Sequence, residues 1–220
     1  DQALLANERN YVPPVLDATA SQASLRLGYV LSQDRYGATV ELSSKIDTLP
    51  IPDLAVGRLV ETPEQIVTML DAYLSTTDGV VDTPDSALVS GYDFLEDAAN
   101  AIASELSSGL GNPATTLITP RDVAPTDPAS WTADQLATLL LNNRYDVSFL
   151  AGHFSASSTL AADYTTRLLA ADLATSSVDM TNALVFSAGC HAGYNIVNAH
   201  GVPGVTAEPD WAQAFASKGV

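Results

Sequence analysis

Short apolar runs and helical stripes alternate along most of the chain. Before residue 60 the pattern is broken: Pro13-Pro14, Tyr36-Gly37, Pro50 and Pro52 punctuate brief extended runs such as 25–31, and 51–58 reads as a short strand leaving a loop. Thr62, Pro63, Glu64 and Gln65 then supply a cap, a proline in the first turn and early acid. They predict a helix to about Ser75 with Ile66, Met69, Leu70 and Tyr73 at helical spacing. Beyond residue 80, strands are expected at 86–90, 114–118, 147–151 and 183–187. Helices are expected at 96–108, closed by Gly109, at 132–142, capped by Thr132 with Gln135 three residues on, and at 166–174. Two more, at 191–199 and 208–217, end the chain. Apolar strands alternating with helices predict an α/β fold with a mainly parallel sheet covered on both faces.

The economical organisation is one domain over 1–220, with an irregular strand- and loop-rich part over 1–60 and an alternating strand/helix core over 61–220. The chain opens in a polar segment and stops where a strand begins after Gly219. It therefore reads as a domain truncated at both ends, from a larger parent chain with other domains.

In an open α/β sheet, ligands bind beyond the carboxyl ends of the strands. Two such ends carry reactive side chains here: Ser148-Phe-Leu-Ala-Gly-His153 and Leu184-Val-Phe-Ser-Ala-Gly-Cys190. Were those strands neighbours, about 4.8 Å apart, His153 and Cys190 would face one another across a cleft. The helix expected from His191 puts Cys190 at a helix N-terminus, where the dipole and free N–H groups favour thiolate. Small neighbours Ala188, Gly189, Ala192 and Gly193 let a substrate backbone approach, and the Cys190 N–H is a candidate oxyanion donor. His153 would give the leaving amine its proton. A lone Cys after an apolar strand is ordinarily inert packing; the matching strand end at His153 is what points to catalysis.

Charge narrows the partners. Nine Lys plus Arg stand against 26 Asp plus Glu, a net charge of −17, which repels phosphate backbones and argues against nucleic acid. No stretch approaches the ~20 apolar residues that span a bilayer. The single cysteine excludes an internal disulfide framework. A zinc site built from Cys190, His191, His153 and His200 fits poorly, because adjacent Cys190 and His191 rarely point at one ion and no recognised zinc spacing is present. Trp131 and Trp211, beside helix starts, read as packing residues.

The histidine and cysteine segments, 37 positions apart, resemble those of gingipain-type cysteine peptidases, within the group of caspases, legumain and clostripain. Asp34-Arg-Tyr-Gly37, Pro52-Asp-Leu-Ala-Val-Gly-Arg-Leu59, Thr62-Pro-Glu64 and Ser86-Ala-Leu-Val-Ser-Gly91 are similar to the segments upstream in that family, so the likeness runs from about Asn10 to Val220. The resemblance implies a caspase-like three-layer sandwich and a secreted or cell-envelope endopeptidase working on polypeptides through an acyl-enzyme thioester. It implies no metal or other cofactor in catalysis, although members often hold structural calcium. By the same likeness Asp93 would orient His153, Glu96 and Asp97 would read a basic side chain before the scissile bond, and Gly152 and Phe154 would join Cys190 in the oxyanion hole, Phe154 through its N–H. Two positions depart from the family pattern: Phe154 replaces the usual glycine after the histidine, and Gly189 the usual alanine before the cysteine. Phe154 favours the competing reading, a degenerate caspase-like domain kept as a binding or structural module.

Overall fold

In this computed structural model the structure describes residues 34–43, 48–54, 59, 62–190, 192–193 and 209–220. The chain divides into two compact units, residues 1–58 with 196–207 and residues 59–195 with 208–220. The described part of the first unit is a short helix, α1 (Asp34–Gly37), and an antiparallel pair of strands, β1 (Ala38–Ser43) and β2 (Thr48–Pro52). Both the backbone N–H and the hydroxyl of Thr39 donate to the Asp53 carboxylate across that pair. The expected run 25–31 and residues 55–58 lie outside the described residues.

The second unit is built on a four-stranded parallel sheet in the order β4-β3-β5-β8, comprising β3 (Ala87–Gly91), β4 (Thr115–Ile118), β5 (Val147–Gly152) and β8 (Leu184–Gly189). A small antiparallel hairpin, β6 (Ser158–Leu160) with β7 (Arg167–Leu169), follows β5. Because residues along a strand alternate between faces, Leu88, Leu150 and Val185 lie in one core and Val89 and Phe149 in the other.

The first core is the larger. Leu136 and Leu140 of α4 (Ala133–Asn142), Leu173 of α5 (Ala170–Thr175) and Trp211 of α6 (Trp211–Ala216) are buried in it. Truncating any one of these leucines to alanine would cost about 2–5 kcal/mol, the loss of buried apolar area plus a cavity. Ala99 and Ala103 of α3 (Glu96–Leu110) cover the other face over β3 and β4. Over β8 that face is open among the described residues, with Leu184 and Phe186 64% and 59% exposed and Phe186 stacked on Phe149. Helices thus lie on both faces of a parallel sheet.

Local signals decide the helix starts. Thr62 caps α2 (Pro63–Leu74) and Thr132 caps α4, each in a reciprocal pair with the glutamine three residues on. The apolar stripe read on α2 is only partly used: Ile66 and Met69 are half-buried, Leu70 and Tyr73 are exposed, and Ala72 is the buried position.

Three expectations need correction. The helix at 96 runs through Gly109 and stops at Gly111, whose φ of +72° makes the left-handed cap that glycine accepts without strain. An interior glycine costs only about 1 kcal/mol, and the packing of Ala99 and Ala103 outweighs it. The helix expected over 166–174 divides into β7 and α5, because Asp163 turns the chain just before it by accepting the N–H groups of Thr165 and Thr166. The last helix is shorter than 208–217, starting at Trp211 after an Asp210 cap. The helix expected over 191–199 lies outside the described residues apart from a turn at 192–193.

Candidate active site

Strands β5 and β8 are neighbours, paired in parallel from Val147↔Leu184 to Gly152↔Gly189. The next residue on each is His153 and Cys190. Both are exposed at the carboxyl edge of the sheet, and the His153 ring lies against the Tyr92 and Phe94 rings that follow β3, on the side of β5 away from β8. The Ala192 N–H donates to the Gly189 carbonyl at 3.4 Å, which turns the chain directly after Cys190.

Aromatic rings surround the imidazole. The ring centroids of Tyr92, Phe94 and Tyr164 lie 5.3, 5.2 and 5.6 Å from that of His153, Tyr92 meeting it nearly edge to face. Tyr92 follows β3 directly and is fully buried, with its ring also 5.1 Å from that of Trp131. Its hydroxyl has no hydrogen-bond partner among the described residues. Burial, against the opposing pull of the Thr159 side chain and the His153 backbone, pushes the Tyr92 pKa up to about 12. The Tyr92 ring also explains Gly152. A Cβ there would sit 1.8 Å from that ring, and the φ of +144° is strained for any other residue.

Phe154 turns its ring into packing. It lies 5.7 Å from Trp211 by ring centroids, and a Cβ on Gly189 would come within 2.2 Å of it. Its backbone forms an isolated bridge with Thr159, in which the flanking bonds are Leu160 N–H to His153 C=O and Ser155 N–H to Ser158 C=O. That pattern makes Phe154 a non-hydrogen-bonded position, whose N–H points away from the partner strand. Among the described residues this N–H has no acceptor.

The acids expected near the site are engaged elsewhere. Asp93, in a 3-10 turn (Asp93–Leu95), accepts a long 3.4 Å hydrogen bond from the Tyr164 hydroxyl, and no described contact joins it to His153. Partial burial raises the Tyr164 pKa, with help from the Asp93 charge and that bond. Glu96 accepts the Arg121 N–H at 2.7 Å, and Asp97 pairs with the Arg121 guanidinium at 2.5 Å. The two acids read as a pocket for a basic substrate residue thus hold a basic residue of the chain itself.

Trp131 and Trp211 are packing residues, buried in the core. Trp131 Nε1 also donates to the Gly91 carbonyl at 2.8 Å, which fixes the end of β3. His191 and His200 lie outside the described residues. Among the described residues no group of three or more His, Cys, Asp or Glu side chains is gathered to hold a metal, and no helix is long and apolar enough to cross a membrane. Phe94 and Tyr164 escaped the sequence reading. The aromatic pair in Tyr92-Asp93-Phe94, directly after a strand, was the available signal. Compared with known proteins, the chain matches no family model, no curated protein and no solved structure.

Proposed function

We propose that this chain is a caspase-like, gingipain-type cysteine peptidase domain in which Cys190 is the nucleophile and His153 the general acid and base. The observation that carries the reading is the β5–β8 register: Gly152 pairs with Gly189, and an exposed histidine and an exposed cysteine follow at once on adjacent parallel strands. The two departures from the family pattern also fit one another, since the Phe154 ring fills the space that an alanine side chain at 189 would take. Phe154 spends its side chain on packing and keeps its N–H outside the bridge, so it retains what an oxyanion donor needs.

In this mechanism the Cys190 sulfur attacks the scissile carbonyl carbon, forming an S–C bond while the oxygen takes up charge. The N–H groups of Cys190 and Phe154 stabilise that oxygen, with the small Gly152 leaving room beside them. Collapse breaks the C–N bond, and the amine leaves with a proton from the His153 imidazolium. His153 then takes a proton from water, whose oxygen attacks the thioester carbon; the C–S bond breaks, releasing the acid and restoring the Cys190 thiolate beside the imidazolium. Glu96 and Asp97, which a basic substrate side chain would seek, already bind the N–H and the guanidinium of Arg121.

Because Cys190 is the only cysteine, its alkylation by iodoacetamide reads one thiol. For an unassisted cysteine the rate falls about tenfold per pH unit as acid removes the thiolate. With His153 as ion-pair partner, the rate is expected to level off at a plateau between pH 6 and 7, and His153→Ala to abolish that plateau. A simple thiol curve, identical in wild type and His153→Ala, would falsify the dyad and leave the binding-module reading in its place.

A further inference from the structure

We propose that the His153 imidazole is held in its working orientation by an aromatic cradle of Tyr92, Phe94 and Tyr164, in place of a carboxylate bonded directly to it. The inference rests on the dyad reading for its catalytic meaning, and on ring geometry for its substance. All three centroids lie within 5.2–5.6 Å of the imidazole, inside the range where aromatic pairs attract. They approach it at different tilts, with interplanar angles of 86°, 41° and 60°, so rotation of the imidazole about its side-chain bonds meets a ring in more than one direction. Aromatic faces also favour a cation, and the imidazole becomes one whenever it takes a proton.

The cradle is anchored at both ends. Tyr92 is locked in the core against Trp131, and Tyr164 is tied through its hydroxyl to Asp93. Tyr164 sits at a left-handed backbone position (φ +55°) in the turn between β6 and β7, which ties that hairpin to the site. Asp93 therefore reaches His153 through a ring. Phe94 and Tyr164 are positioning residues that act through His153. The titratable groups around the imidazole are Tyr92 and Tyr164, with Asp93 behind Tyr164, Asp163 beside Tyr92, and Cys190 on the neighbouring strand.

Phe94, 51% exposed, and Tyr164, 38% exposed, can be removed with less risk to folding than Tyr92. The experiment compares wild type with Phe94→Ala, Tyr164→Ala and Tyr164→Phe by two readouts. In proton–carbon NMR spectra, with His153→Gln used for assignment among the three histidines, ring currents should displace the His153 ring signals from free-histidine positions in wild type. Each alanine variant should lose much of that displacement, and Tyr164→Phe should keep most of it. Alkylation of Cys190 at pH 6.5 should slow about tenfold in each alanine variant, with no change at pH 9.5, where thiolate forms without help.

Free-histidine signals in folded wild type would overturn the cradle. So would an acid plateau that survives unchanged in both alanine variants. Displaced signals in a wild type with no acid plateau would uphold the cradle and sink the peptidase reading instead, so the two failures are distinguishable.

Discussion

The two ends of the parallel sheet are held by different balances of polar and aromatic contacts. At the amino end, the Asp146 carboxylate accepts the N–H groups of Asp85 and Ser86, the Ser86 hydroxyl and the Arg144 guanidinium. Arg144 reaches on to the Thr181 carbonyl, and the Leu184 N–H donates to the Asp146 carbonyl. The starts of β3, β5 and β8 are thereby joined by one polar network. At the carboxyl end aromatic rings share the holding with the Trp131–Gly91 hydrogen bond, the Tyr92 hydroxyl is buried with no partner among the described residues, and His153 and Cys190 are left exposed. The contrast teaches a division of labour. Carboxylate-centred hydrogen bonds tie the strand starts together, and ring contacts dominate at the end that carries His153 and Cys190, beside the Trp131–Gly91 hydrogen bond.

The largest effect should come from breaking the shape-held end. Gly152→Ala drives a methyl group into the Tyr92 ring at a strained φ. A loss of roughly 3 kcal/mol or more is expected by urea denaturation. Stability within 1 kcal/mol of wild type would mean that the aromatic end gives way easily, and the contrast would collapse.

Next comes the polar end. Burial alone would raise the Asp146 pKa, but the hydrogen bonds from Asp85 and Ser86 and the Arg144 pair outweigh it, holding the carboxyl well below its usual range. The unfolded chain then binds the proton first as pH falls. The stability from this carboxylate is therefore complete above about pH 5 and drains away as acid titrates it toward its depressed native value. Asp146→Asn should lose about 2 kcal/mol at pH 7, with the gap to wild type closing between pH 5 and pH 2. Parallel curves across that window would show that the clamp does not act through its charge. The smallest effect belongs to the exposed acids: Asp97→Ala removes a solvent-facing pair with Arg121 and should leave the melting temperature unchanged within error. A clear shift there would place a third structural tie at the carboxyl end.

Features that depend on neighbours in sequence were legible. The Thr62–Gln65 and Thr132–Gln135 caps, and strand ends carrying His153 and Cys190, follow from residues a few positions apart. Adjacency of β5 and β8 was a conditional in the sequence and a fact in the register. What stayed hidden are contacts between distant residues. Tyr164 meets Asp93 across 71 positions, and Phe154 meets Gly189 across 35, with no local pattern to announce either. Asp93 looked like an orienting acid because position along the chain shows which residue follows a strand, and not which way its carboxylate turns. Gly109 looked like a helix stop because the conformation that makes a glycine cap, positive φ, appears only at Gly111.

The fit of Phe154 against Gly189 also imposes an order on how this chain can evolve. Alanine at 189 collides with the ring while phenylalanine remains at 154, yet glycine at 154 removes the obstacle. The same substitution is thus harmful in one background and tolerated in the other. Any lineage exchanging this pair for the small-residue pair must change position 154 first. The pocket works as a ratchet, keeping Gly189 in place for as long as Phe154 occupies it.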